Sequence, residues 1–357
     1  MNAAVIFLLA FGAGLAQANA PSPGLARDGL FAEVETSKGA FVIELAFERV
    51  PMTVSNFVGL AEGTIENAAL PAGVPYFNGT KWHRVVAGHV IQCGIPANGK
   101  AQGPGYVFPN EIVLPALDHG RAGMVNMANG GPHTNASQWC VTLGDRSYLD
   151  GDYTVFGRVI RGLDVVMSIR QGDEITSVKI VRVGAKALAF RPTTASFKAL
   201  VEDGWARVKK ADAEKKLREE ALIKAEWPDA VASAGGLRTS ILRKGPGGSA
   251  AAGATVRIAY TGKAPLAGKT FVSTADGGKP YWGERPEPFD VVIGKTEINP
   301  GLDAAIAAMA KGEKRLIIVP ASLGYGTGGF YAVQRPNEKR FAISPNTLLV
   351  YEIERLD

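Results

Sequence analysis

The sequence contains few of the residues that cross-link small folds or bind metals: there are two cysteines and four histidines among 357 residues. Two cysteines cannot form a disulfide framework. No group of His and Cys has the spacing of metal ligands, so we expect no metal site. The chain also lacks a long block of Lys and Arg, because its basic residues are interleaved with acids and the formal net charge is only +5. Nucleic-acid binding is therefore not predicted.

The two cysteines leave one question open. Export to an oxidising compartment would permit a single bridge between Cys93 and Cys140. The sequence does not show whether the two residues are close enough to form it.

Beyond the N-terminus, the sequence lacks an apolar run of membrane-spanning length. The first twenty residues, MNAAVIFLLAFGAGLAQANA, contain an apolar run at 3–16, followed by small residues. The triplets AQA at 16–18 and ANA at 18–20 both fit a signal-peptidase site. We predict a signal peptide at residues 1–20 and an exported protein, periplasmic or secreted, without stable membrane insertion. A retained N-terminal anchor is the alternative.

The length and an apolar content of 46% favour two or more globular domains. Composition divides the chain into segments at residues 30–184, 185–236 and 237–357. In the first segment, alternating apolar residues between Gly, Pro, Asn and Asp predict antiparallel strands: FAEVET, AFVIELA, KWHRVVAGHVIQ, SQWCVTLG, YTVFGRVI and SVKIVRVG. PMTVSNFVGLAEG and LDVVMSIRQG have helical spacing, and the latter is expected to end at Gly172. This pattern predicts a closed barrel with two helices covering its open ends.

The second segment is rich in Ala, Lys and Glu and predicts one long helix that stops at Pro228. Its apolar side chains form a helical stripe: Phe197, Leu200, Val201, Trp205 and Val208. The favoured interpretation is a solvated linker helix whose stripe packs on one neighbouring domain. A dimerisation or client-binding helix is the alternative.

The third segment begins with the Gly/Ala-rich stretch GPGGSAAAGA and continues with the strand patterns TVRIAYTG, KTFVST, PFDVVIG, KRLIIVP and TLLVYEIERLD. One helix, GLDAAIAAMAKG, lies between them and is expected to end at Gly312. A β-rich sheet packed on a single helix is an α+β domain. The whole chain is thus predicted to be multidomain and mainly β.

Four long motifs follow one another in the first segment: WHRVVAGHVIQCG, NGKAQGPGYVFPNE, GMVNMANGGPHTNASQWCVTLG and YLDGDYTVFGRVIRGLDVV. In these motifs and their order, nearly the whole segment resembles the cyclophilin family. The resemblance implies an eight-stranded antiparallel β-barrel and peptidyl-prolyl cis–trans isomerase activity that uses no cofactor and no metal.

Arg84 and Gln92 match the catalytic arginine and the neighbouring glutamine of that family. Rotation about a peptide bond has a barrier of about 18–20 kcal/mol, because the nitrogen shares its lone pair with the carbonyl. As the bond twists, the proline nitrogen becomes pyramidal and its lone pair localises. A fixed donor aimed at that nitrogen then stabilises the twisted state more than the planar one. Arg84 is expected to be this donor, and Gln92 to orient Arg84 or the substrate.

The resemblance also implies a set of substrate-binding residues: His89, Val90, Ala128, Asn129, Gln138, Cys140, Tyr148, Leu149 and Tyr153. Asn129 is expected to bind the substrate backbone. Three positions of the proline pocket hold smaller or more polar residues than is usual in the family: His89, Val90 and Cys140. Tyr148 and Tyr153 stand where many members have Trp and His. These departures bear on the rate and on the affinity for cyclosporin-type inhibitors more than on the reaction class.

Five motifs mark the third segment: TVRIAYTGK, GKTFVST, PFDVVIGKTEINPGLDAAIAAMAKGEKRLIIVP, LGYGTGG and PNTLLVYEIERLD. They resemble the FKBP family of macrolide-binding prolyl isomerases. The resemblance implies a dry, largely aromatic cup around the proline ring, with these residues in its wall: Tyr260, Phe271, Phe289, Ile298, Leu302, Tyr325 and Tyr351. Leu302 stands where Trp is frequent, and Asn299 replaces a residue that is usually aliphatic. Val272 takes the place of a pocket Asp, which predicts a weak isomerase or a binding module.

We therefore expect a peptidyl-prolyl isomerase that acts on proline-containing unfolded or exported polypeptides and assists the folding of exported proteins. Catalysis is assigned chiefly to the cyclophilin-like domain and also to the FKBP-like domain, with macrolides and cyclosporin-type compounds as further ligands. The alternative is a chaperone or client-binding protein whose proline pockets bind without efficient turnover. In a third hypothesis only the cyclophilin-like half is catalytic and the FKBP-like half recruits clients.

Overall fold

The structure, a computed structural model, describes residues 27–98, 103–274, 287–295, 298–331 and 341–357. Its strands are β1 (Gly29–Thr36), β2 (Gly39–Leu45), β3 (Arg84–Val86), β4 (Val90–Cys93), β5 (Met124–Met127), β6 (Trp139–Thr142), β7 (Val155–Arg161), β8 (Ile175–Val183), β9 (Val231–Ala232), β10 (Arg238–Arg243), β11 (Thr255–Ala264), β12 (Lys269–Ser273), β13 (Phe289–Val292), β14 (Lys314–Val319), β15 (Phe330–Tyr331), β16 (Phe341–Ile343) and β17 (Leu349–Arg355). Its α-helices are α1 (Pro51–Glu62), α2 (Leu163–Ser168), α3 (Ala185–Ala189), α4 (Thr194–Glu226) and α5 (Pro300–Ala307).

In the described part of the first segment, eight strands form one antiparallel sheet in the order β3–β4–β6–β5–β7–β2–β1–β8. Backbone hydrogen bonds join the two ends of this sheet, for example Trp82 N to Asp173 O (2.9 Å) and Ile175 N to Thr80 O (2.8 Å). The sheet therefore closes on itself. Buried aromatic side chains lie in its core, among them Phe41, Phe57, Trp82, Trp139 and Phe156. The predicted eight-stranded antiparallel fold is confirmed.

The stretch 81–92 is a hairpin rather than the single strand that its pattern predicts. β3 and β4 are antiparallel, with Val86 opposite Val90, and Gly88 adopts a left-handed conformation in the turn between them (φ +67°). The reversal places Arg84 directly opposite Gln92. The pattern hides the reversal because both arms of a hairpin keep the same period of two.

Helices α1 and α2 pack on the core of this sheet. α1 begins with Pro51 in its first turn and ends at Glu62, and the left-handed conformation of Gly63 (φ +71°) caps the helix. α2 ends at Ser168 instead of at Gly172. It ends early because Ile169 takes an extended conformation, in which its side chain is almost fully buried in the core.

The second domain is a sheet with strand order β12–β11–β17–β14–β10–β9 and β13 beside β11, packed on helix α5. The predicted α+β architecture is confirmed, with two differences. β9 and β10 were not predicted; both precede the Gly/Ala-rich stretch, and β10 pairs with both β9 and β14. α5 ends at Ala307 rather than at Gly312, because the following residues bury Met309 in the core and pair Ala310 with Ser249.

Helix α4 contacts both domains. It begins with a capping box formed by Thr193 and Ser196 and ends just before Pro228. Near its start, Phe197 is buried in the core of the first domain. Near its end, Ile223 packs in a separate apolar cluster on the sheet of the second domain: Leu316, Ile318, Leu348 and Val350. The predicted packing on one neighbouring domain therefore holds for the N-terminal part of the helix, whereas the C-terminal part packs on the second domain.

The predicted signal peptide, residues 1–20, lies outside the described residues. Within the described ranges, no helix has both the length and the apolar content needed to cross a membrane. Export remains a prediction.

Candidate active site

Three neighbouring strands carry the candidate site of the first domain. The register places Arg84 on β3 opposite Gln92 on β4, and Gln92 opposite Cys140 on β6. Directly opposed residues in antiparallel strands point to the same side of the sheet. The intervening residues, such as Ile91 and Val141, point to the other side and belong to the core. The site therefore lies on the outer face of the sheet, supported by a packed interior.

A chain of hydrogen bonds holds the arginine. Arg84 Nη1 donates to Gln92 Oε1 (3.2 Å), and Gln92 Nε2 donates to Gln138 Oε1 (2.8 Å). The backbone of Gln138 is fixed in turn, because its carbonyl accepts a hydrogen bond from Ala128 N (2.9 Å). A guanidinium carries five N–H donors, so Arg84 keeps donors beyond the one bound to Gln92. The exposed side chain is thus oriented and can still donate to a bound molecule.

His89 and Tyr148 form a paired wall beside Arg84. Their rings stack, with centroids 6.1 Å apart and an interplanar angle of 20°, and Tyr148 Oη lies 3.0 Å from His89 Nδ1. Burial, followed by the positive charges of Arg84 and Arg146, lowers the pKa of His89 to about 4. Burial also raises the pKa of Tyr148. Both rings are therefore neutral near pH 7.

The apolar part of the site lies on the same face. Val90 and Cys140 are buried, at 3% and 5% exposure, and Leu149 is partly buried in the same short turn as Tyr148. Burial raises the pKa of the Cys140 thiol to about 12, against the opposing charge of Arg84. Cys140 is therefore a protonated, small and weakly polar side chain in this wall.

The structure answers the question about the two cysteines. Cys93 lies opposite Trp139, one position along β4 from the pair formed by Gln92 and Cys140. Neighbouring positions on a strand point to opposite sides of the sheet, so the Cys93 side chain faces the core while Cys140 faces outward. Both thiols are buried and free.

Asn129, which is predicted to bind the substrate backbone, begins the loop formed by residues 129–135, which we call the substrate loop. Asn129 Nδ2 donates to the backbone oxygen of Asp152 (3.0 Å). Tyr153 follows Asp152 and is partly buried. The loop is therefore tied to the segment that carries the last of the predicted substrate-binding residues.

The charge state of the site favours binding and orientation over proton transfer. Burial lowers the pKa of His83, although hydrogen bonds to the Lys81 backbone and to Gln138 act in the opposite direction. His83 and His89 are thus both neutral near pH 7, beside the cationic Arg84. Across the described ranges, no group of three or more His, Cys, Asp and Glu side chains could hold a metal ion. The arrangement offers one directed cationic donor next to an apolar wall.

In the second domain, the described residues of the predicted cup come together in one apolar cluster. Four are buried there and three more pack against them partly exposed: Tyr260, Phe271, Leu302, Tyr351, Phe289, Ile298 and Tyr325. Tyr260 meets Phe289 edge-on at 5.3 Å, and Phe271 meets Tyr351 edge-on at 5.6 Å. The sequence missed Phe330, whose ring lies 5.1 Å from Tyr325, because its segment looks like an inserted loop.

Asn299 has a structural role that the sequence interpretation missed. It is 2% exposed; its Oδ1 accepts a hydrogen bond from Leu302 N (2.9 Å) and so caps helix α5, while its Nδ2 donates to Tyr351 Oη (2.9 Å). Tyr325 also hydrogen-bonds with both Asn299 and Tyr351. An Asn followed by Pro300 is a helix-start pattern, and it could have revealed the cap but not the bond to Tyr351.

Val272 lies in β12, paired with Gly262 of β11. Its side chain is outside the described set, so the consequence of having Val in place of Asp stays a prediction.

Comparison with known proteins agrees with this division of the chain. The family profile described as cyclophilin type peptidyl-prolyl cis-trans isomerase/CLD matches residues 31–185, and the profile described as FKBP-type peptidyl-prolyl cis-trans isomerase matches residues 247–356. A crystal structure of a cyclophilin type isomerase from Cryptosporidium parvum is 25% identical and covers 44% of this chain and 99% of its own, with a TM-score of 0.38.

Several peptidyl-prolyl cis-trans isomerases are similar to a part of this chain. A probable peptidyl-prolyl cis-trans isomerase A of Mycobacterium leprae is 40% identical over 132 residues, 36% of this chain and 72% of the relative. A peptidyl-prolyl cis-trans isomerase of Helicobacter pylori is 38% identical over 151 residues, 42% of this chain and 85% of the relative. A human peptidyl-prolyl cis-trans isomerase-like 1 is 37% identical over 158 residues, 42% of this chain and 88% of the relative. The chain belongs to the cyclophilin family of peptidyl-prolyl cis–trans isomerases and carries an FKBP-type isomerase domain fused behind its cyclophilin domain.

Proposed function

We propose that the cyclophilin domain is the chief catalyst and that Arg84 is the donor that acts on the proline nitrogen. The observation that carries this proposal is the hydrogen-bonded series from Arg84 through Gln92 to Gln138. It fixes one end of a guanidinium that is otherwise exposed beside an apolar wall. Such preorganisation is what electrostatic stabilisation of a transition state requires.

The mechanism needs no covalent intermediate and no proton transfer. The substrate proline ring rests against Val90, Cys140 and the paired rings of His89 and Tyr148, while Asn129 binds the substrate backbone. In the planar ground state the nitrogen lone pair is delocalised and is a poor acceptor. In the twisted state it accepts a hydrogen bond from Arg84, so the interaction is stronger in the transition state than in the ground state.

The test is isomerase turnover of the full chain on proline tetrapeptides with varied residues before Pro. Removing one preorganised donor typically costs about 10²–10³-fold in rate, so Arg84→Ala should lower kcat/KM by about 100-fold. Arg84→Lys keeps the charge but loses the planar fork and should recover little. Arg191→Ala, at an exposed arginine between α3 and α4, is the matched control and should leave turnover unchanged. An Arg84→Ala protein with wild-type turnover would refute the assignment.

We propose that the FKBP domain holds a second proline pocket, in the cup around Tyr260, Phe289 and Tyr325. The closely packed aromatic rings support binding, whereas Val272 favours binding without efficient turnover. In an Arg84→Ala background, any residual turnover that falls further in Arg84→Ala/Phe289→Ala would assign activity to this domain. Residual turnover that is unchanged by Phe289→Ala would indicate that the domain is a binding module that recruits clients.

We propose further that the protein assists the folding of exported proteins in the periplasm or outside the cell. The predicted signal peptide at residues 1–20 supports this location, and two proline pockets on one chain would prolong residence on unfolded clients through effective concentration. Cyclosporin-type and macrolide compounds are proposed as ligands of the two pockets. Cell fractionation of the full-length protein, with a variant lacking residues 1–20 as control, tests the location.

A chaperone that only holds clients is the second candidate function. Such a protein would protect an unfolded client from aggregation equally well with Arg84→Ala.

A further inference from the structure

We propose that Trp205, on helix α4, is a positioning residue for the substrate loop of the cyclophilin domain. The helix that leads to the FKBP domain would then complete the substrate-binding site of the first domain. This inference rests on the proposed function, because it assumes that Asn129 in the substrate loop binds substrate.

The first step is that α4 is held close against the first domain at this point. Phe197, two turns earlier, is buried and contacts the rings of Tyr106 and Phe108 at 5.4 and 5.8 Å. Gly204 directly precedes Trp205, and a Cβ atom there would lie only 2.7 Å from Pro109 Cγ and 3.0 Å from Met52 Sδ. Only a residue without a side chain allows this approach, so the position of the helix is closely determined.

The second step is the contact between the helix and the loop. The Trp205 ring contacts the ring of His133, with centroids 6.1 Å apart and planes tilted by 56°. Asp212, seven residues further along α4 and therefore on the same face of the helix, interacts electrostatically with His133. Burial is the main influence on His133 and lowers its pKa, with Asp212 acting in the opposite direction. Two positions of α4 thus face the same residue of the substrate loop.

The third step concerns the backbone of His133, which has an uncommon conformation. Its φ of +60° is in the left-handed region, which only a few per cent of non-glycine residues adopt. A reciprocal pair of bonds with Asn110 holds it there: His133 N donates to Asn110 Oδ1, and Asn110 N donates to His133 Nδ1, both at 3.2 Å. The ring of Trp205 contacts the imidazole that accepts the second of these bonds.

The fourth step connects His133 to Asn129. The side chain of Asn110 also donates to the backbone oxygen of Asp152 (3.2 Å), the same oxygen that accepts from Asn129 Nδ2 (3.0 Å). A continuous series of contacts therefore runs from Trp205 through His133, Asn110 and Asp152 to Asn129. This series does not include Arg84 or Gln92.

The position of the contacts predicts which kinetic constant changes. Without the indole ring, the substrate loop would visit other conformations, and each substrate would have to order Asn129 on binding. Arg84 and its hydrogen-bonded partners would keep their geometry. The loss should therefore appear as a higher KM with kcat little changed, of about two- to tenfold, the size expected for the loss of one ring contact.

The experiment compares full-length variants on a proline tetrapeptide, with KM and kcat measured separately. Trp205→Ala and Trp205→Leu should raise KM, and Trp205→Phe, which keeps a ring, should restore it. Leu217→Ala, at a 71% exposed position of the same helix, is the control and should change neither constant. Trp205 is itself 39% exposed, so its replacement should leave the fold intact; thermal unfolding of each variant checks this, and Trp205→Leu keeps an apolar side chain on the stripe.

The outcomes separate this inference from the proposed function. An unchanged KM in both Trp205→Ala and Trp205→Leu would overturn it, as would a lower kcat at constant KM or a failure of Trp205→Phe to restore KM. An Arg84→Ala protein with wild-type turnover would instead refute the assignment of the catalyst. In the Arg84→Ala background, the FKBP domain's residual turnover should not respond to Trp205→Ala.

Discussion

Replacing Asn299 with alanine should destabilise the FKBP domain, because one side chain serves two partners there. Its oxygen caps α5 at Leu302 N, and its amide nitrogen donates to the hydroxyl of Tyr351. Loss of an N-cap typically costs about 1 kcal/mol. A buried hydroxyl without its partner costs about 1–3 kcal/mol, and Tyr325, which also bonds to Tyr351, keeps this second contribution near the lower limit. We expect a total of about 2 kcal/mol.

Two further variants separate the contributions. Asn299→Ser keeps an oxygen that can cap α5 but is too short to reach Tyr351, so it should cost about half as much as Asn299→Ala. Tyr351→Phe removes the hydroxyl to which Asn299 donates. Asn299→Ala should therefore cost less stability in a Tyr351→Phe background than in the wild type, and the double-mutant cycle gives this coupling directly.

Hydrogen exchange of the full chain, followed by mass spectrometry, is the suitable assay, because it reports the local free energy of opening in each domain separately. The amides of β14 and β17 should exchange faster in Asn299→Ala, by about 30-fold for 2 kcal/mol. Strands β1 and β8 of the cyclophilin domain are the internal control. Unchanged exchange in β17, or an equal loss in Asn299→Ser and Asn299→Ala, would refute the reasoning.

Two further predictions concern the cyclophilin site. The ring signal of His89 should titrate with a midpoint near pH 4 in NMR spectra, because burial disfavours its charged form. Since the unfolded chain takes up this proton near the ordinary value of 6.5, folding stability should fall as the pH drops from about 6.5 to about 4; a midpoint near 6.5 would contradict the buried pair with Tyr148. Denatured protein prepared without reductant should contain two titratable thiols, because Cys93 and Cys140 face opposite sides of the sheet. A mass lower by that of two hydrogens would show that the two cysteines form a disulfide and would contradict this prediction.

Much of the fold follows from the alternation of apolar and polar residues and from the Gly, Pro, Asn and Asp residues that separate the strands and helices. The pattern of FAEVET and AFVIELA corresponds to β1 and β2, and the helical spacing of PMTVSNFVGLAEG corresponds to α1. Where the sequence failed, the cause was tertiary. Ile169 ends α2 early because the core buries its side chain, and β10 forms because β14 offers it an edge.

The candidate site shows the same division. Family motifs predict Arg84, Gln92 and the cup residues as site residues, since the order of the motifs along the chain is preserved. The pairing across 81–92, which makes Gln92 the partner of Arg84, depends on a turn at Gly88 that alternation does not reveal. The sequence predicts Trp205 on an apolar stripe, but a stripe does not show which residues it contacts. Its contact with His133 joins residues far apart in sequence and could come only from the structure.

The packing of helix α4 decides where this chain can be divided without damage. A fragment that starts at residue 237 would lack Ile223 and Trp227 and would expose the apolar patch that they cover: Leu316, Ile318, Leu348 and Val350. Exposed apolar surfaces promote aggregation. A lack of isomerase turnover in such a fragment would therefore not show that its proline pocket is inactive. A fragment starting near Lys216 would keep this cover, and a cyclophilin fragment would need the helix at least through Trp205. The 33-residue helix thus belongs in part to each domain, and the boundary between the two lies within it rather than on either side.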